Sequence, residues 1–188
     1  MPFGLGFFAT AGVSAAGSFD LLETQVLGSS TASVTFSSLS TYASAGYQHL
    51  QIRGVWKGDS STGLGAGLLR FNGDSGTNYS SHLLDGTGSS VTSAAVVNNS
   101  YIFPGYFTRN NSNSTRFGGF VCDILDPFET TKYKTTRTLW GVNDSSNYVG
   151  LASGSWRNTE ALTSITLSGD TGNILTGSRF SLYGIKAA

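Results

Sequence analysis

Apolar and polar residues alternate in short runs along this chain, and no stretch sustains the 3.6-residue recurrence of a helix. Residues 47–57 set the pattern. Leu50, Ile52 and Trp56 fall on one face and His49, Gln51, Arg53 and Lys57 on the other, as in a half-buried strand. Val34 and Phe36 share a face within 33–39, and similar runs occupy 67–72, 78–84, 91–97, 101–108, 116–125, 131–142, 147–153, 162–168 and 179–186. Turn chemistry such as Gly73-Asp74-Ser75-Gly76 separates them, at the spacing of a sandwich or barrel. Pro127 closes one run, and Pro104 marks an edge, bulge or turn. Ser, Thr, Gly and Asn supply 85 of the 188 residues. These residues either hydrogen-bond to nearby backbone or lose too much entropy to suit helix interiors, so helix bundles and α/β enzymes are disfavoured. The expectation is one all-β domain over 19–188, an antiparallel β-sandwich of jelly-roll type with Ser/Thr-rich outer faces.

Residues 1–18 carry no charged side chain. A signal peptide needs a basic start, which is missing, and Gly4, Gly6, Gly12 and Gly17 interrupt the apolar run. The segment is too short and too weakly apolar to span a bilayer, so no membrane insertion is expected. Two readings stand: a disordered terminus, or an N-terminal docking arm whose Phe3, Leu5, Phe7 and Phe8 become buried on a partner. Three phenylalanines within six residues are a hazard if left exposed, which favours docking.

Eleven basic and eleven acidic residues cancel, so no global field draws the protein to nucleic acid. In the densest basic cluster, Lys132 and Lys134 are expected on one solvated strand face and Arg137 on the other. The lone Cys122 excludes an internal disulfide and a thiolate zinc site, and reads as a small buried residue. His49 sits on the polar phase of its strand, and His82 has serines nearby but no nucleophile-elbow motif. Asp123 and Asp126 are three apart, so on a strand they point to opposite faces; Asp126, before Pro127, reads as a turn initiator rather than half of a glycosidase pair. The glycines at 4–6 and 63–67 neither follow a strand nor open a helix, so phosphate-loop readings fail, and 60–67 is expected to be a hairpin loop. Asp74, Asp85 and Asp170 sit in glycine turns outside any calcium-loop pattern. No catalytic residue, metal or cofactor is expected. Trp140, Tyr148 and Trp156, with Arg157, are candidate aromatics for a glycan or a subunit interface, and the two tryptophans fit the core equally well.

A series of short words runs in order along the chain: Phe19-Asp20-Leu21-Leu22-Glu23-Thr24, Ser33-Val34-Thr35-Phe36-Ser37-Ser38-Leu39, Tyr47-Gln48-His49-Leu50-Gln51-Ile52-Arg53, and Leu69-Arg70-Phe71-Asn72-Gly73-Asp74. Asp123-Ile124-Leu125-Asp126 with Lys132-Tyr133-Lys134, Ser153-Gly154-Ser155-Trp156 and Phe180-Ser181-Leu182-Tyr183-Gly184-Ile185 complete it. In this order the chain resembles a family of small virion structural proteins of tailed phages, especially phages of aquatic bacteria. The resemblance covers about 19–186 and leaves the arm outside. It implies a non-enzymatic building block on the particle exterior, with phage capsid or tail proteins as partners and no catalytic residues to carry over. Two placements follow: a head decoration or cement protein docked through its arm, or a tail-fibre or receptor-binding head, expected as a homotrimer, that contacts a host surface glycan. The missing shaft favours decoration. A secreted carbohydrate-binding module or polysaccharide lyase is the remaining alternative.

Overall fold

The computed structural model describes residues 18–60, 63–109, 115–143 and 147–186. Twelve strands are present among them: β1 (Phe19–Val26), β2 (Ser33–Phe36), β3 (His49–Gly58), β4 (Leu64–Phe71), β5 (Tyr79–Gly86), β6 (Val91–Asn99), β7 (Tyr106–Arg109), β8 (Gly118–Leu125), β9 (Lys134–Asn143), β10 (Asn147–Trp156), β11 (Ile165–Gly169) and β12 (Arg179–Ile185). One short helix, α1 (Ser40–Ser44), interrupts the series. The fold is all-β, as the alternation requires. No described helix is long and apolar enough to cross a membrane.

The strands form one continuous sheet folded over on itself. One layer is the antiparallel row β1-β12-β3-β8-β9-β10-β5-β6, and the other is β2-β11-β4-β7. They join where β7 runs parallel to the end of β3, pairing Lys57 with Thr108 and Gly58 with Arg109. The expected strand at 101–108 is shortened to β7. Pro104 lacks an N–H, so the ladder breaks there, and the earlier part survives only as reciprocal hydrogen bonds between Ile102 and Leu69, both 2.9 Å. The expected loop at 60–67 is likewise shorter, because β4 already starts at Leu64.

Between the layers lies one apolar core containing Val34, Phe36, Leu50, Ile52, Trp56, Cys122, Trp140, Trp156 and Phe180. Trp56 of the larger layer meets Phe107 of the smaller at 4.4 Å between ring centroids. Small residues on β10 make room for large ones elsewhere. A Cβ on Gly150 would come within 2.4 Å of the Trp140 indole. Gly150→Ala is therefore expected to destabilise by about 1–3 kcal/mol through overpacking. Thermal unfolding of the variant checks this; an unchanged midpoint would mean the indole has room to shift.

Two lysines depart from the solvated faces expected of them. Lys57 is buried at the β3 end, its ammonium 5.9 Å from the Phe117 ring centre. Lys134 starts β9 facing inward and is fully buried. Its ammonium donates to the carbonyls of Glu129, Lys132 and Thr159, so the charge is matched by backbone dipoles. Burial holds this amine below the ordinary lysine range. Lys132 lies before the strand and pairs with Asp126 at 2.5 Å.

Candidate functional site

The aromatic candidates separate cleanly. Trp140 and Trp156 stand on β9 and β10 with their side chains inward, and both are buried. Of the readings open for them, burial selects the core over a glycan or interface contact, because the inward phase of each strand passes through its tryptophan. Trp140 packs edge-on against Tyr106 at 5.1 Å and near-parallel to Tyr148 at 6.4 Å. Tyr148 alone of the three is only partly buried. It lines a shallow cavity of about 540 Å³ with Phe117, Asn143 and Asn147. Phe3, Leu5, Phe7 and Phe8 of the arm lie outside the described residues.

The titratable groups are engaged in structural pairs. His49 Nδ1 accepts the Asp126 backbone N–H at 3.0 Å. Asp126 begins a turn closed by Glu129 N–H to its carbonyl, and the Lys132 ammonium hydrogen-bonded to it holds its carboxyl below the usual range. Asp123 instead accepts from Gln51 at 2.7 Å and Arg137 at 2.8 Å on the outer face of the large layer. The two carboxylates therefore belong to separate clusters. Arg109 clasps Asp170 at 2.6 Å, and Thr92 donates to Asp85. Among the described residues no three of His, Cys, Asp and Glu converge on one point. Burial pushes the Cys122 thiol up to about 12, so at neutral pH it stays protonated and unreactive.

Asp74 is held by three hydrogen-bond donors. It accepts from Asn78 Nδ2 at 2.8 Å, the Trp156 indole N–H at 2.7 Å and the Gly76 backbone N–H at 2.8 Å. These donors favour the ionised form and depress its pKa, Asn78 contributing most. The folded value lies below the unfolded one, so the stability it contributes is complete above about pH 4 and lost as pH falls through the folded value. Asp74→Asn should thus lower the urea midpoint at pH 7, with the gap to the unmodified protein closing below about pH 4. A gap that stays constant down to about pH 2 would remove Asp74 from the acid transition.

What the sequence did not disclose is the outer face of the large layer. A Ser/Thr-rich surface was expected, yet an apolar band crosses it. Register places Leu84, Leu151, Leu139 and Val121 side by side across β5, β10, β9 and β8. The next row holds Val149, Gly141, Gly119 and Val55. Leu139 and Leu151 are each more than half exposed, at 54% and 53%. Gly119 and Gly141 have no side chains to fill the row, so the sheet is hollowed into a groove of about 810 Å³. Leu21, Val55, Val121, Leu139 and Val149 line it, with Arg53 and Arg179 among its walls. The signal was present but weak: Trp140 fixes even-numbered residues of β9 as inward, which forces Leu139 outward.

The band runs out to β6, the edge strand. None of its nine residues is buried, and Val91 and Val97 are 73% and 69% exposed. The strand Val91-Thr-Ser-Ala-Ala-Val-Val-Asn-Asn99 has no charge and no proline, the devices that normally stop an edge from pairing with another chain. Such a surface suits contact with other protein. Comparison with protein-family models, curated proteins and solved structures returns no match.

Proposed function

We propose that this protein is a non-enzymatic structural component on the exterior of a phage particle, a head decoration or cement protein. The observation that carries this reading is β6, an uncharged edge strand open on both faces and continuous with an apolar band. In a protein packed among copies of itself and capsid subunits, such an edge is covered. Residues 1–18 provide attachment to the capsid, and β6 provides contact between copies in a closed ring such as a homotrimer.

Strand order supports a jelly-roll reading. Setting aside β5, β6, β9 and β10, the remaining eight strands, counted in chain order, pair first with last, second with seventh, third with sixth and fourth with fifth. Those are the rungs of one long antiparallel hairpin wrapped into two layers. The other four strands extend the large layer sideways and carry most of the exposed band.

Copy number in purified particles tests the placement. A cement protein would be present on the order of hundreds of copies, a fibre head on the order of tens. A low count would sink decoration and favour the receptor-binding alternative. That alternative has one observation of its own, the Tyr148 cavity with its asparagines, which has the aromatic-plus-amide character of a sugar-binding surface. In that case Tyr148→Ala would abolish adsorption to host cells while leaving assembly intact.

A further inference from the structure

The hollow on the outer face and the phenylalanines ahead of β1 fit one another. We infer that in the free protein the segment 3–8 of each chain seats in the outer-face groove of that same chain. The inference is independent of where the protein resides.

Three features lead to it. The first is chemistry. The groove floor is glycine and aliphatic side chains, and Arg53 and Arg179 stand at its walls. The Arg53 guanidinium already lies 5.1 Å from the ring centre of Phe19 and 5.0 Å from that of Tyr183, so this wall accepts rings on its cationic face. Phe3, Leu5, Phe7 and Phe8 are uncharged and mostly aromatic, which matches floor and wall together.

The second is position. Phe19, the first residue of β1, stacks on Tyr183 at 4.9 Å. Leu21 then lines the groove itself. The chain therefore enters the fold along the side of the sheet that is hollowed.

The third is reach. The groove centre, between β8 and β9, lies three to four strand spacings from β1 and about five residues along the strands, a separation of about 25 Å. Nine small residues, 9–17, connect the phenylalanines to Ser18. They span at most about 30–33 Å, enough to deliver Phe8 to the groove with little slack. A larger partner would cover the band as well, but it would not explain a spacer of this length.

Disulfide trapping in the full chain tests the inference, since buried Cys122 does not compete. Phe3, Phe7 and Phe8 are each replaced by Cys in combination with Leu139→Cys, an exposed groove position. The control pairs each with Thr135→Cys, about 13 Å back along β9 toward the end of the sheet where Phe19 lies, so that tether length alone does not favour 139. Mild oxidation should link at least one arm position to 139 within a single chain, in at least about tenfold greater yield than to 135, because seating raises the local concentration. Equal yields at 139 and 135, or none at 139, overturn the inference. Linkage found only in covalent dimers also overturns it and names a second copy's arm as the occupant. As a measurement without cysteines, Phe3→Ser/Phe7→Ser/Phe8→Ser should raise the fluorescence of a hydrophobic dye severalfold by uncovering the groove. No rise with correctly folded protein would count equally against it.

Discussion

Trp156→Ala is expected to remove about 3–5 kcal/mol of unfolding free energy. The indole is fully buried where the chain crosses from the small layer to the large one. It meets Phe71 of β4 edge-on at 5.7 Å and stacks on Tyr79 of β5 at 6.2 Å. The Tyr79 hydroxyl accepts the Phe71 N–H at 3.1 Å and donates to the Asp74 carbonyl at 3.0 Å, and burial raises its pKa to about 12. Truncating Trp156 would empty the centre of this corner and take a donor from Asp74. Trp156→Phe separates the two losses. It keeps most of the ring volume, so its cost should fall to about 1.5–3 kcal/mol, the range of a hydrogen bond to a charged group. Urea unfolding followed by circular dichroism reads both variants. A Trp156→Ala cost below about 1 kcal/mol would mean that the corner is not a main support of the fold.

Val91→Lys combined with Val97→Lys should have the opposite profile. Both side chains are exposed on an edge strand, so the unfolding midpoint should move by less than about 0.5 kcal/mol. Incorporation into particles should fall more than about tenfold, because lysines on an edge disfavour pairing with another chain. Paired measurements on the purified variant and on particles assembled with it decide the matter. Normal incorporation of a stably folded double-lysine protein would show that β6 is not an assembly surface. A variant that fails to fold would be equally informative, since it would contradict the solvent-exposed placement of both valines.

The sequence disclosed strands where polar and apolar residues alternate against a single buried face. Leu50, Ile52 and Trp56 on β3 and Val34 and Phe36 on β2 are inward as read. Legibility fails where both faces carry apolar groups or the polarity is reversed. On β9, Lys134, Thr136 and Thr138 are inward and Leu139 outward, so hydropathy alone mis-assigns the faces and only the tryptophan phase corrects them. Lys134 is readable as buried only once the carbonyls of Glu129, Lys132 and Thr159 are seen converging, and those come from two separate loops. β1 escaped notice because Leu21, Leu22 and Glu23 break strict alternation. The structure places a register shift between Leu21 and Glu23. The groove was invisible for a related reason: a missing side chain leaves no hydropathy signal, and Gly119 and Gly141 become a floor only when register sets them side by side.

The parallel step between β3 and β7 has a mechanical consequence. Its two rungs bind the layers along one margin with backbone hydrogen bonds, so the two leaves cannot part there without rupturing the ladder. Breathing that admits water must begin at a margin lacking such a seam. The four-residue β2 is the natural place: Thr31 ahead of it is tied to Ile174 by backbone hydrogen bonds, but the strand itself is fastened to β1 by a side-chain latch from Gln25 Nε2 to the Thr35 carbonyl at 2.8 Å. The protein is thus hinged on one side and latched on the other. Amide exchange should be slow along the seam and fast behind the latch.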